Sequence, residues 1–237
     1  LTLQEKIGSA DFLLKILHLS LTFPIMHKFY WIIIFSSWMT SAFGTFDDLP
    51  EPYRNASLLP FSPHGWYLNG PQLEILIRQH QVRDIIEVGS WLGLSTRHMA
   101  SHLPQGGKLY AIDHWLGSQE HQPGQEHWRP ELSMLYEYFL SNVIHAGLAD
   151  KIIPIRMDSL AAAKTLDIQA DLIYIDANHE TKALYEDLTA WHPHLRPQGI
   201  LCGDDWHWPS VRAAVELFAK EKGLAILSTE HFWWLSP

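Results

Sequence analysis

The 237-residue sequence predicts an α/β fold: a doubly wound, mostly parallel sheet with an antiparallel last strand. Three observations carry this expectation. Short apolar runs alternate with segments of helical periodicity, glycines and aspartates stand where the apolar runs end, and the last two runs are separated only by Thr229, Glu230 and His231. A parallel crossover needs a helix-sized connection, so the alternation favours parallel strands and the short final link forces an antiparallel one.

The elements follow in order. After Gly70 and Pro71, residues 72–80 set Leu73, Leu76 and Ile77 at helical spacing, and 82–88 is a buried strand closed by Gly89. Residues 94–103 read as helix, 108–112 as the second strand, and 131–146 as one helix with Leu132, Leu135, Phe139 and Val143 on one side. Strands at 152–155, 172–175 and 200–203 follow, with helices at 181–191 and 211–222, and the runs 224–228 and 232–235 close the chain.

The first part of the chain differs. Residues 29–35 form the most continuously apolar stretch, after His27 and Lys28 and before Ser41, Ala42, Phe43 and Gly44. Read from Met26, this is a signal peptide. Read from Leu1, it is a helical stretch over 12–38 broken at Pro24, with an apolar run shorter than the roughly 20 residues a spanning helix needs. Both readings stay open, and with them membrane contact through this segment. Prolines 50, 52, 60 and 63 mark 47–63 as an extended linker, so an appendage over 1–64 precedes one domain over 65–237.

Composition narrows the function. With 47% hydrophobic residues the chain supports one substantial core. Its 17 basic and 26 acidic residues give a net charge of −9 with no Lys/Arg cluster, which argues against nucleic acid as partner. Cys202 is the single cysteine, which excludes an intrachain disulfide and a Cys-rich zinc site. The 15 histidines are scattered, without a His-Glu-x-x-His pair, and read mostly as surface or packing residues.

Chemistry gathers at the ends of the strands. The first leads into Glu87-Val88-Gly89-Ser90-Trp91-Leu92-Gly93-Leu94-Ser95-Thr96, a glycine-flanked turn that brings bare backbone amides up to a ligand. Alone, the two glycines read equally as strand-to-helix punctuation. The second strand ends in Asp113, where such folds set a carboxylate on ribose hydroxyls; its other reading is a helix cap. The two signals together favour a ribose-bearing ligand. The third strand leads to Asp158 and Ser159, which either meet a base edge or cap the next helix. The fourth and fifth lead to Asp176-Ala177-Asn178-His179 and Asp204-Asp205-Trp206. Three converging carboxylates repel unless a cation or protons neutralise them, which suits a hard divalent ion such as Mg2+. His179 is the candidate general base, with helix capping as its alternative.

These stretches, with Ile112-Asp113-His114-Trp115-Leu116-Gly117-Ser118, resemble the class I S-adenosyl-L-methionine (SAM) dependent methyltransferases. The nearest branch is the bacterial methyltransferase-24-like family, related to macrolide sugar O-methyltransferases and cephalosporin-hydroxylase-like proteins. The resemblance implies a Rossmann-like seven-stranded sheet and SAM contacts along Glu87, Gly89, Ser90, Gly93, Ser95, Asp113, His114, Asp158, Ser159 and Asp176. It further implies Mg2+ on Asp176, Asp204 and Asp205, catalysis by Asp176 and His179, and methyl transfer to an oxygen of a small hydroxylated acceptor. Ala177-Asn178 stands where the family pattern has Gly-Asp, and Gln198 where it has glycine. The loop from Trp115 to Arg129, with His121, His127 and Trp128 and adjoining His114, is expected beside the acceptor. SAM use implies the cytoplasm, against which an exported or anchored form stands as the alternative. Two rivals share the fold: a nicotinamide-dependent oxidoreductase, which lacks the Gly-x-Gly-x-x-Gly spacing here, and a SAM-binding protein without turnover.

Overall fold

The computed structural model describes residues 48–118, 121, 123–125, 128 and 130–236. The apolar segment read as signal or anchor, together with His127 and Arg129, lies outside the described residues. Two compact units divide at Leu49 and Pro50, and the sheet belongs to the second. Among the described residues, no helix is long and apolar enough to cross a membrane.

Seven strands form one sheet: β1 (Asp84–Val88), β2 (Lys108–Asp113), β3 (Ile152–Arg156), β4 (Ala170–Ile175), β5 (Leu195–Gly203), β6 (Ala225–Ser228) and β7 (Trp233–Ser236). Their order is β3-β2-β1-β4-β5-β7-β6, and β7 alone runs against its neighbours. The helices are α1 (Gly70–Gln79), α2 (Leu94–His102), α3 (Leu135–His145), α4 (Ser159–Thr165), α5 (Thr181–Trp191) and α6 (Pro209–Lys222). The expected α/β class, the parallel majority and the antiparallel close are all present. Because β2 lies on one side of β1 and β4 on the other, connections leave the centre of the sheet in opposite directions. The crevice this opens at the strands' C-terminal ends is where open α/β sheets take ligands.

Local chemistry sets the boundaries. Helix α6 starts with Pro209 in its first turn, where the missing N–H costs nothing, and stops at Gly223 with φ 68°. Its buried stripe of Val211, Ala214, Val215, Phe218 and Ala219 packs into the cluster holding Leu184 and Leu188 of α5 and Ile173 and Leu201 of the sheet. The helix expected over 131–146 is corrected: Pro130–Met134 is a 3-10 turn, and the α-helix begins only at Leu135. Met134, at φ −128° and ψ 29°, breaks the helical path there, which periodicity alone does not reveal.

The proline-rich stretch packs on the same unit as the sheet. Apart from a 3-10 turn at Tyr53–Asn55 it has little regular structure, and Tyr53 is buried with its hydroxyl donating to the Ile152 carbonyl at 2.9 Å. Ser141 accepts from Leu59 N and donates to Leu59 O, while Asn142 does the same for Ser62. Two polar side chains of α3 therefore satisfy backbone groups that have no strand partner.

Strand β5 begins five residues before the expected start at 200, because the pairing slips between Ala170 opposite Leu195 and Leu172 opposite Ile200. The irregularity holds Gln198 at φ 67°, the position where glycine was expected. A side chain in that region costs roughly 1–2 kcal/mol, partly offset by glycine's larger entropy in the unfolded chain. Gln198→Gly is therefore expected to stabilise the protein by about 0.5–1 kcal/mol, read as a rise in the denaturation midpoint at unchanged m-value.

Candidate functional site

The glycine turn is fixed by an approach that no side chain permits. Gly89 has φ 89°, and a Cβ there would lie 2.0 Å from the Asp176 carbonyl oxygen. Strands β1 and β4 close on each other at this point, where Asp176 N donates to Val88 O at 2.8 Å, while Gly89 N donates to Ile112 O of β2 at 2.9 Å. Gly93, at φ 77°, then turns the chain into α2, whose first amides receive no side-chain cap. Uncapped amides at a helix start form a donor set for an anionic group.

Asp113, at the tip of β2, holds the turn in place. Its Oδ2 accepts from Ser90 N at 3.0 Å and Trp91 N at 2.9 Å, and its Oδ1 accepts from Trp115 N at 2.6 Å. His114 Nδ1 stands 3.7 Å from the same Oδ1. Each carboxylate oxygen carries two lone pairs, so bracing the turn leaves acceptor capacity for a ligand hydroxyl. Met157 N donates to Asp113 O at 3.0 Å, which ties the tip of β3 to that of β2.

Glu87 lies beneath the turn, fully buried, and accepts from the hydroxyls of Ser95 and Thr96. Burial outweighs those two donors and lifts its pKa from an ordinary 4.5 to about 7. At the β3 tip, Asp158 caps α4 by accepting from Ala161 N at 3.1 Å. The Ser159 hydroxyl is held between Asp187, to which it donates at 2.5 Å, and Trp191, whose Nε1 donates to it at 2.9 Å.

The acidic residues meet across β4 and β5. Tyr174 places its hydroxyl 3.4 Å from Asp176 Oδ2 and 3.2 Å from Asp204 Oδ2, and Asp204 Oδ1 accepts from Asp205 N at 2.6 Å. Burial, then repulsion by Asp204 and Asp205, pushes the Asp176 carboxyl well above the usual carboxylate range. Asp204 is raised as well, chiefly by burial. His179 Nε2 lies 2.7 Å from Asp205 Oδ2, and its ring packs against Trp208 at 4.7 Å between centroids. One ligand atom each from Asp176, His179 and Asp205 falls within 4.8 Å of the others. This group takes in His179 and leaves out Asp204, so it differs from the expected set of Asp176, Asp204 and Asp205. Buried carboxylates beside one another still fit a hard divalent cation, which would offset the cost of ionising them. Ala177 and Asn178 leave this arrangement intact: Ala177 packs against the core, and Asn178 Oδ1 accepts from Glu180 N at 2.8 Å.

Sequence reasoning missed three aromatic contributors. Tyr174 is the one hydroxyl in the strand's apolar run, a signal that was legible in Leu172-Ile173-Tyr174-Ile175. Trp91, at φ 48°, accepts from Trp115 Nε1 through its carbonyl at 2.7 Å and packs its ring 4.7 Å from His121 and 6.0 Å from Trp66. These rings gather beside the turn from residues distant in sequence, so no local pattern reveals them. His121 belongs to the loop expected beside the acceptor.

A central switch point, a carboxylate-braced glycine turn and an acidic pair at neighbouring strand tips define the Rossmann-like methyltransferase class of α/β protein. Residues 86–206 match the family described as a methyltransferase domain, and the chain belongs to that family. Among solved structures it is similar to the O-methyltransferase TomG from Streptomyces achromogenes, involved in tomaymycin synthesis and in complex with SAM. That match has 19% identity and a TM-score of 0.53, over 86% of this chain and 93% of the other. An O-methyltransferase from Bacillus cereus in complex with SAH also has 19% identity and a TM-score of 0.53, over 81% and 90%. Cofactor-bound Rv0187 from MTB matches at 19% identity and a TM-score of 0.56, over 83% and 88%. At such identities the likeness establishes the fold.

Glu87 makes stability depend on pH in a fixed direction. Its folded pKa is raised, so its contribution is fully present below pH 4.5 and declines as pH rises to about 7. The shift corresponds to about 3 kcal/mol. Relative to Glu87→Gln, the wild type should lose stability on that order between pH 4.5 and 7.5, measured by urea denaturation at both pH values. Equal slopes for the two proteins would show that Glu87 ionises normally.

Proposed function

We propose that this protein is a SAM-dependent methyltransferase that methylates an oxygen of a small hydroxylated acceptor. The observation that carries the reading is the adjacency, along one sheet edge, of the Asp113-braced turn and the Asp176, Asp204, Asp205 and His179 cluster. A sulfonium methyl is already electrophilic, so its attack by an acceptor oxygen forms the new C–O bond and breaks the C–S bond without covalent help from the protein. The chain's contribution is position and proton removal.

In this reading the turn from Gly89 to Gly93 and the uncapped start of α2 receive the methionine end of SAM. Asp113 accepts from a ribose hydroxyl through Oδ1, His114 flanks it, and Asp158 lies at the tip of the next strand for the adenine. Glu87, Ser90 and Ser95 support the turn from below. Ser159, whose hydroxyl is engaged by Asp187 and Trp191, serves the α4–α5 contact. His179 takes the acceptor's proton, and Asp205 stabilises the resulting imidazolium at 2.7 Å. Asp176, Asp204 and Asp205 would hold a Mg2+ ion, which lowers the pKa of a bound hydroxyl. An oxygen-seeking ion leaves His179 available for proton transfer.

Isothermal titration should show SAM binding and no NAD binding. Asp113→Asn keeps the side chain's shape but replaces an acceptor with a donor, and should weaken SAM binding about tenfold or more. Tight NAD binding with none for SAM would overturn the assignment in favour of an oxidoreductase. With a panel of vicinal diols as acceptors and SAH release as readout, His179→Ala should lower turnover by about 10²–10⁴ at unchanged SAM affinity. Turnover that survives both this change and a chelator would remove the base and the metal from the mechanism.

A further inference from the structure

A second cluster of ligating side chains lies outside the site described above. His98 and His102 are four residues apart on α2 and therefore share one face of the helix. Their rings stand 4.6 Å apart between centroids. From α1, Glu74 points its Oε2 to within 3.5 Å of His102 Nε2. One ligand atom from each of the three residues lies within 4.8 Å of the others, and all three are partly buried.

The second nitrogen of each ring fixes what the first can do. His102 Nδ1 lies 2.9 Å from the His98 backbone carbonyl, which can only accept. Nδ1 therefore carries a proton, and in the neutral ring Nε2 presents a lone pair to the Glu74 carboxylate. Two acceptors facing each other require a cation or a proton between them. His98 Nδ1 lies 2.8 Å from the Tyr67 hydroxyl oxygen, which accepts from it when Nδ1 carries the proton. An imidazole that donates through one nitrogen to a protein oxygen presents the other nitrogen's lone pair to a metal, as His102 does through the His98 carbonyl.

We propose that Glu74, His98 and His102 form a metal site of their own, taking a borderline divalent transition ion of the zinc class. Two imidazoles and one carboxylate match the preferences of that ion and leave a fourth position for water, whereas Mg2+ and Ca2+ prefer oxygen alone. Arg78 lies 2.8 Å from Glu74 Oε1 and orients the carboxylate from its far side. The ion joins α1 to α2 and, through Tyr67, steadies the segment leading into α1. The site does not depend on the methyl-transfer reading.

The test uses the full chain, stripped with EDTA and dialysed against Zn2+ with excess Mg2+ present to occupy oxygen-only sites. The wild type should take up one Zn2+ per chain and melt at a higher temperature with zinc than without. Glu74→Gln and His98→Gln should each weaken zinc binding at least about tenfold and lose the zinc-dependent rise in Tm. Circular dichroism of the metal-free variants should match the metal-free wild type, which separates ligand loss from unfolding. SAM titration of the same variants should give wild-type affinity. A wild type that takes no zinc, variants that take as much as the wild type, or loss of zinc on Asp205→Asn instead of Glu74→Gln would each overturn the site.

Discussion

The contact between Gly89 and the Asp176 backbone governs the rest of the architecture. Two neighbouring parallel strands reach the edge of the sheet together, and a Cβ on the turning residue of one would sit 2.0 Å from the other's carbonyl oxygen. Only a residue without a side chain allows this, and the positive φ at the same residue adds a second reason for glycine. Because the strands close so tightly, the turn after β1 and the carboxylate after β4 share one edge. The ligand face of the protein is thus a consequence of backbone packing.

Carboxylates organise that edge in two distinct ways. Asp113 accepts three backbone amides and acts as a brace, setting the shape of the turn from a neighbouring strand. Asp176 and Asp204 are crowded by burial and by each other, with the Tyr174 hydroxyl between them. The first arrangement keeps a lone pair on Oδ1 for a ligand hydroxyl, whereas the second gains from a cation or a proton. Non-glycine residues at positive φ also collect here, since Trp91, Trp115 and Asp205 stand at 48°, 52° and 60° on the loops after β1, β2 and β5. Backbone held in that region costs on the order of 1–3 kcal/mol per residue, and it recurs where side chains must be aimed at a ligand.

Histidines in this chain form pairs that the linear sequence conceals. His179 finds its partner on the next strand's loop, and His102 finds Glu74 on the preceding helix. The spacing of His98 and His102 was legible, since positions four apart on a helix face the same way. What it lacked was the third partner: Glu74 lies on a separate helix, and only helix packing brings the two together.

The amino-acid order alone settled the class of fold, the strand-helix alternation, the antiparallel close and the acidic residues at the strand ends. Periodicity of two or 3.6 and the backbone demands of glycine are local properties, readable within ten residues or so. It could not settle that 131–134 would form a 3-10 turn, that β5 would start at Leu195 with an irregular register, or that the proline-rich stretch would pack on α3. Nor could it show that Ser159 would be taken up by Asp187 and Trp191, or that Tyr174 would stand between two aspartates. Each of these rests on a contact between residues far apart in the chain, whose energy exists only once the sheet and helices have assembled around it.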